Sequence, residues 1–202
     1  MASPLVSSPG ADAPVPADRL AQACATMRHS PHRLLHKALR VRLTDALQAA
    51  GRLDALHPAQ RAQLVTLVDG ALAACLDHVV LETRWLHEPL RQRSPRALAA
   101  VEDDHRELAA DAAQLRARLA QLQAATRPAE FLALGHEVYL RFSQFVGEGL
   151  AHMVEEEGAL ALALWDSFDD AQLQGFEVQM LAALPAGERE QVLHDLKAEL
   201  DG

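Results

Sequence analysis

The sequence predicts an all-α protein: an antiparallel up-down four-helix bundle with two extra C-terminal helices and a disordered N-terminal leader. Three observations predict it. The chain contains no isoleucine and no asparagine, few threonines, and an abundance of Ala, Leu, Glu, Gln and Arg, a composition that favours helix and leaves little strand material. Half of its 202 residues are hydrophobic, enough for a sizeable core in a single domain. Its prolines recur where helices open rather than where they would be broken.

Residues 1 to about 17 are rich in Pro, Ser, Ala and Gly without periodicity and read as a disordered leader. A weakly helical stretch through Cys24 completes a leader unit of residues 1–29. This start has no basic segment followed by an apolar run, so no secretory signal is expected. Ser30-Pro31 and Ser94-Pro95 have the form of an N-cap followed by proline at the first helical position. His57-Pro58 and Arg127-Pro128 place proline similarly. Gly51 sits where a helix C-terminus should fall, and Pro89 is expected to end the second helix. The bundle unit, 30–166, therefore holds helices over about 31–50, 58–88, 95–124 and 128–165, joined by short connections. An extension over 167–202 carries two shorter helices, Ala171 to Leu184 and about Gly187 to Leu200, split by Pro185. It is expected to pack on the bundle, on a protein partner, or on a second copy of the chain.

The charge balance, 19 basic against 28 acidic residues for a net −9, argues against nucleic acid or an anionic membrane as a partner. Aromatic residues at 4% are too few for base stacking to be the main business. Cys24 and Cys75 cannot build a disulfide framework or a four-cysteine zinc site, and no disulfide between them is expected. The longest unbroken apolar stretch, Ala159 to Trp165, falls short of the ~20 residues of a spanning helix. A cytoplasmic protein is the expectation.

Histidine is what stands out, with ten in the chain. Each predicted bundle helix carries one near an end: His36, His78, His105 and His152. Glu82 follows His78 by four residues and Glu156 follows His152 by four, so each pair shares a helix face one turn apart. At about 1.5 Å rise per residue, all six residues fall roughly 8 to 20 Å from the same end of an up-down bundle. Imidazole with carboxylate suits iron, manganese or zinc, and carboxylates can bridge two metals. Singly, each histidine reads as a surface or hydrogen-bonded core residue, and Glu155, Glu156 and Glu157 as an acidic face; the matched depth is what favours a metal site. His87, nine residues after His78, falls half a turn round and is expected to point away. His32 lies one turn nearer the end than His36, in a lining position. His29, His57 and His194 fall at helix edges or in the tail, and His136 is too distant.

At these residues the sequence resembles the hemerythrin-like, His-His-Glu cation-binding family of four-helix bundles. His36-Lys37-Ala38-Leu39-Arg40, then Leu43 and Ala50-Gly51-Arg52, is similar to that family's first helix and turn. Asp77-His78 to Glu82, and on through His87-Glu88-Pro89-Leu90, follows its second helix; Asp103-Asp104-His105 resembles the start of its third. The most specific stretch is Phe145 to Met153, then Glu155-Glu156 and Leu164-Trp165. The resemblance implies a carboxylate-bridged centre of two non-heme irons, held by His36, His78, Glu82, His105, His152 and Glu156. It also implies binding of, or reaction with, dioxygen, another diatomic molecule or peroxide. Relatives often carry a second histidine on the third helix, where this chain has Leu108 and Ala109, and some carry one before the second-helix glutamate, where it has Leu81. Four histidines in place of five imply an open or water-filled coordination position. Two rival readings stand beside this one. Glu102-x-x-His105 has the form of a ferritin-like di-iron motif, which needs a second Glu-x-x-His that the chain lacks. A metal-free helical interaction module is the other.

Overall fold

The structure, a computed structural model, describes residues 17–26, 28–187, 189, 190 and 192. The expected leader over 1–16 and most of the second tail helix lie outside the described residues. Every regular element described is helical: α1 (Ala17–Thr26), α2 (Arg33–Ala50), α3 (Pro58–Glu82), α4 (Glu88–Arg91), α5 (Ala99–Ala124), α6 (Pro128–Glu155), α7 (Ala161–Ser167) and α8 (Asp170–Ala183). A π-helical turn, Thr83–His87, runs α3 into α4, and a second, Glu156–Leu160, runs α6 into α7. A 3₁₀ turn over Pro95–Leu98 leads into α5.

The molecule is a helical bundle in which α2 lies on α3, α3 on α5, α5 on α6 and α6 on α2. Its long core joins Leu43 of α2, Val68 and Leu72 of α3, Leu115 of α5 and Phe142 of α6, all at 2% exposure or less. These positions recur every three to four residues, the spacing that keeps one helix face inward. The Pro58–Arg91 run is the one described helix long and apolar enough to cross a membrane by length and composition. Its apolarity is what a helix packed against α2, α5, α6 and α8 requires. Met180 of α8 clusters with Leu35 and Leu86 at the end of the bundle that holds the histidines.

Two local expectations are corrected, and a third, Gly51 at the end of α2, is met. α2 begins at Arg33 with His32 in the cap position, so Ser30-Pro31 stand ahead of it, and the buried Ser30 hydroxyl caps nothing. Pro89 does not end the second helix. It sits in the first turn of α4, because the π turn just before it supplies the change of register that a missing N–H demands. Gly51 closes α2 with φ −65° and uses no left-handed freedom; a Cβ there would meet the Tyr139 ring at 3.2 Å, so closeness of approach is the constraint. Arg127 and His57 do stand in the cap positions ahead of Pro128 and Pro58.

Candidate metal centre

Each half of the site is built by a helix pair. His36 projects from α2 towards His78 and Glu82 of α3; His105 projects from α5 towards His152 of α6 and Glu156 at its end. The structure brings all six sequence-predicted residues together, each at 8% exposure or less. His36, His78, Glu82 and Glu156 place one donor atom apiece within 4.8 Å of one another, and Glu82, His105, His152 and Glu156 do the same. The two carboxylates belong to both groups.

The halves repeat one another. The rings of His36 and His78 meet edge to face at 4.9 Å and 66°, those of His105 and His152 at 4.7 Å and 65°. Around Glu82 Oε1 lie His36 Nε2 at 3.0 Å and His78 Nε2 at 2.9 Å. Around Glu156 Oε1 lie His105 Nε2 at 3.4 Å and His152 Nε2 at 3.3 Å. The second oxygens cross over: Glu156 Oε2 is 3.3 Å from His36 Nε2, and Glu82 Oε2 is 3.6 Å from His105 Nε2. Each carboxylate thus spans both halves.

Behind the rings, carboxylates fix the outer nitrogens. His36 Nδ1 donates to Glu157 Oε1 at 2.9 Å, and Arg40 donates to the same oxygen at 2.6 Å. His152 Nδ1 donates to Asp104 Oδ2 at 3.2 Å. Such partners hold the tautomer that presents Nε2 to a metal.

Two residues that the sequence reading left aside also arrive here. His87 was expected to point away, yet it is fully buried and stacks on His105 at 5.0 Å and 12°. The physical reason is the π turn, whose bonds run from residue i+5 to i: the Glu88 N–H donates to the Thr83 carbonyl. That extra residue per turn rotates His87 back onto the face of Glu82. Nothing in composition or α-periodicity signals such a turn. His32 is likewise fully buried and stacks on His36 at 5.1 Å; its four-residue spacing from His36 was the available signal. Glu102, by contrast, joins neither donor group and pairs with Arg91.

Charge is concentrated here at a price the fold meets by pairing. Burial works to raise the Glu82 carboxyl, but the charge of His78 and the close approach of the His105, His36 and His78 rings outweigh it and hold it well below the usual range. Glu156, opposed by burial and by Glu82, is likewise held low by His152 and His105. Burial opposes protonation of His36, yet bonds to Glu156, Glu157 and Glu82 leave it well above the ordinary value. His105 is raised against burial by Glu156 and Glu82. His152, also opposed by burial, is pushed up to about 10 by Glu156 and Asp104. Burial drives His32 the other way, to about 4, and lowers His87. The buried Cys75 thiol is pushed up to about 12 by burial and then by Glu82 and Glu156; both cysteines are free.

The donor set fits a metal pair. Nε2 of His78, His105 and His152, Oε2 of Glu82 and both Glu156 oxygens are buried without an aligned hydrogen bond among the described residues. His78 Nε2, although 2.9 Å from Glu82 Oε1, lacks the alignment as well. A buried polar atom left unpaired costs about 1–3 kcal/mol, and here six converge on one place. No protein-family model matches the chain, and no curated protein matches it.

Proposed function

We propose that the chain is a hemerythrin-like protein, an antiparallel up-down four-helix bundle around a non-heme di-iron centre that binds or reacts with dioxygen or its reduction products. The observation that carries this reading is the pair of buried carboxylates, Glu82 and Glu156, each presenting one oxygen to either half of the imidazole cluster. His36 and His78 would hold one metal, His105 and His152 the other, with Glu82 and Glu156 bridging. Manganese or zinc fits the same donors. When bound, two ferrous ions supply the electrons for dioxygen or peroxide chemistry. The protein's part is to hold Nε2 of His36 and His152 inward through Glu157 and Asp104, and to keep bulk water from the pair by burial. In this reading the acidic surface carries no nucleic-acid output, and the cysteines stay reduced in a cytoplasmic setting.

The ferritin-like alternative loses its motif, since Glu102 pairs with Arg91 and joins neither donor group. A metal-free interaction module leaves the inward-facing donors without a purpose.

Stopped-flow spectroscopy of the anaerobically iron-loaded protein mixed with dioxygen, then purged with argon, tests the function. Permanent oxidation of the iron supports redox reactivity. A visible band that vanishes on purging and returns the ferrous protein makes it a reversible carrier. No spectral change overturns the proposed chemistry.

A further inference from the structure

Among the six buried histidines of the cluster, two are unlike the rest. His32 and His87 have both ring nitrogens buried and without a hydrogen-bond partner among the described residues. A structural histidine in a core keeps at least one nitrogen bonded, as His36 and His152 do through Glu157 and Asp104. The two rings are also placed alike. His32 Nε2 lies 3.6 Å from Glu82 Oε1, the oxygen that already faces His36 and His78. His87 Nε2 lies 3.9 Å from Glu156 Oε1, the oxygen that faces His105 and His152. Each stacks on the neighbouring imidazole, His32 on His36 and His87 on His105, at nearly equal centroid separations of 5.1 and 5.0 Å. Three Nε2 atoms therefore surround one oxygen of each glutamate, and the pseudo-twofold relation covers eight residues rather than six.

Resting on the di-metal reading above, we infer that His32 and His87 are metal ligands, so that each of two metals takes three imidazoles and one oxygen from each of Glu82 and Glu156. The first set is His32, His36 and His78; the second is His87, His105 and His152. Five protein donors on each metal leave one position apiece for an exogenous molecule in an octahedral shell. The two metal positions are then chemically alike, and neither is starved of nitrogen.

X-ray absorption at the iron edge of wild-type protein loaded anaerobically with ferrous iron reads the imidazole count directly and requires no variant. Three imidazoles per iron are expected. Iron bound at two per chain with only two imidazoles each overturns the assignment of His32 and His87 while leaving the di-iron reading intact; wild-type protein that takes up no iron overturns both. His32→Gln and His87→Gln provide the second measurement, with circular dichroism confirming the fold. Each is expected to weaken the iron of its own half by about tenfold or more and to leave the other iron bound. Folded variants that hold both irons at wild-type affinity overturn the inference.

Discussion

His36 Nε2 and Glu82 Oε1 meet at 3.0 Å between two residues that are both fully buried and lie 46 positions apart. This contact ties α2 to α3 at the centre of the cluster, and the same oxygen faces His78. Glu82→Ala is therefore expected to cut iron content from two to one or fewer per chain, because the carboxylate serves both halves. Helical content should hold, since Glu82 is one position in a 25-residue helix, while the metal-free variant loses about 3 kcal/mol at pH 6 through the broken buried pair. Iron analysis, circular dichroism and urea unfolding measure the three quantities.

Metal and fold should be linked. Glu82 and Glu156 repel each other in the metal-free cluster, and a ligand that binds only the folded state adds about 2.7 kcal/mol at one hundred times its Kd. Ferrous iron or zinc is expected to raise Tm by several degrees over chelator-treated protein. Equal Tm in both samples, with metal removal verified, contradicts a buried site.

Metal binding should release protons. His36 is held well above the ordinary value and His152 at about 10, so at neutral pH both carry a proton that a metal at Nε2 displaces, while His105 is raised in the same direction. The Nδ1 protons of His36 and His152 stay with Glu157 and Asp104. About two protons or more per loaded chain are expected, and Kd should fall as pH rises from 6 to 8. The stability these raised histidines lend the metal-free protein is complete below the ordinary value of 6.5. It fades as pH climbs through their folded values, the His152 share by about 10. Indicator-dye titration in weak buffer gives the proton count; a pH-independent Kd rules the scheme out.

Glu157 is expected to act through His36. Glu157→Gln keeps the length but loses the charge that fixes the His36 tautomer and meets Arg40. Metal affinity should fall about 10–100-fold with little change in the helical spectrum. Competition titration against a chromophoric chelator measures it, and an unchanged affinity would remove Glu157 from the site.

One further substitution tests the packing alone. A Cβ on Gly135 of α6 would lie 2.5 Å from Ala55 Cβ in the α2–α3 connection, so Gly135→Ala is expected to cost about 1–3 kcal/mol despite its better helix propensity. Denaturant unfolding of metal-free protein reads the loss; a stabilised variant would contradict the close approach.

Much of the site was legible because α-helical arithmetic is dependable over a few turns. The four-residue spacings of His78 with Glu82 and of His152 with Glu156 put each pair on one face, and proline at 58 and 128 marked where helices open. The arithmetic failed at His87, where the π turn over Thr83–His87 adds a residue and turns a ring expected outside into the cluster. It failed again at Pro89, which the same turn allows the helix to carry. His32 was visible on the right face, but only burial on all sides and its contact with Glu82 separate a ligand position from a lining one. Glu102 shows the converse: its spacing from His105 is that of a metal motif, yet it pairs with Arg91 and joins neither donor group.

Metal stoichiometry of the wild-type chain is the most direct test of the central claim. The protein is stripped with chelator, reloaded anaerobically with excess ferrous iron, freed of loose metal by gel filtration, and analysed for iron and zinc against protein concentration. The paired halves around Glu82 and Glu156 require two irons per chain, close to 2.0 and reproducible across preparations. A reproducible single zinc with no iron, or no retained metal in folded protein, would contradict a di-iron centre.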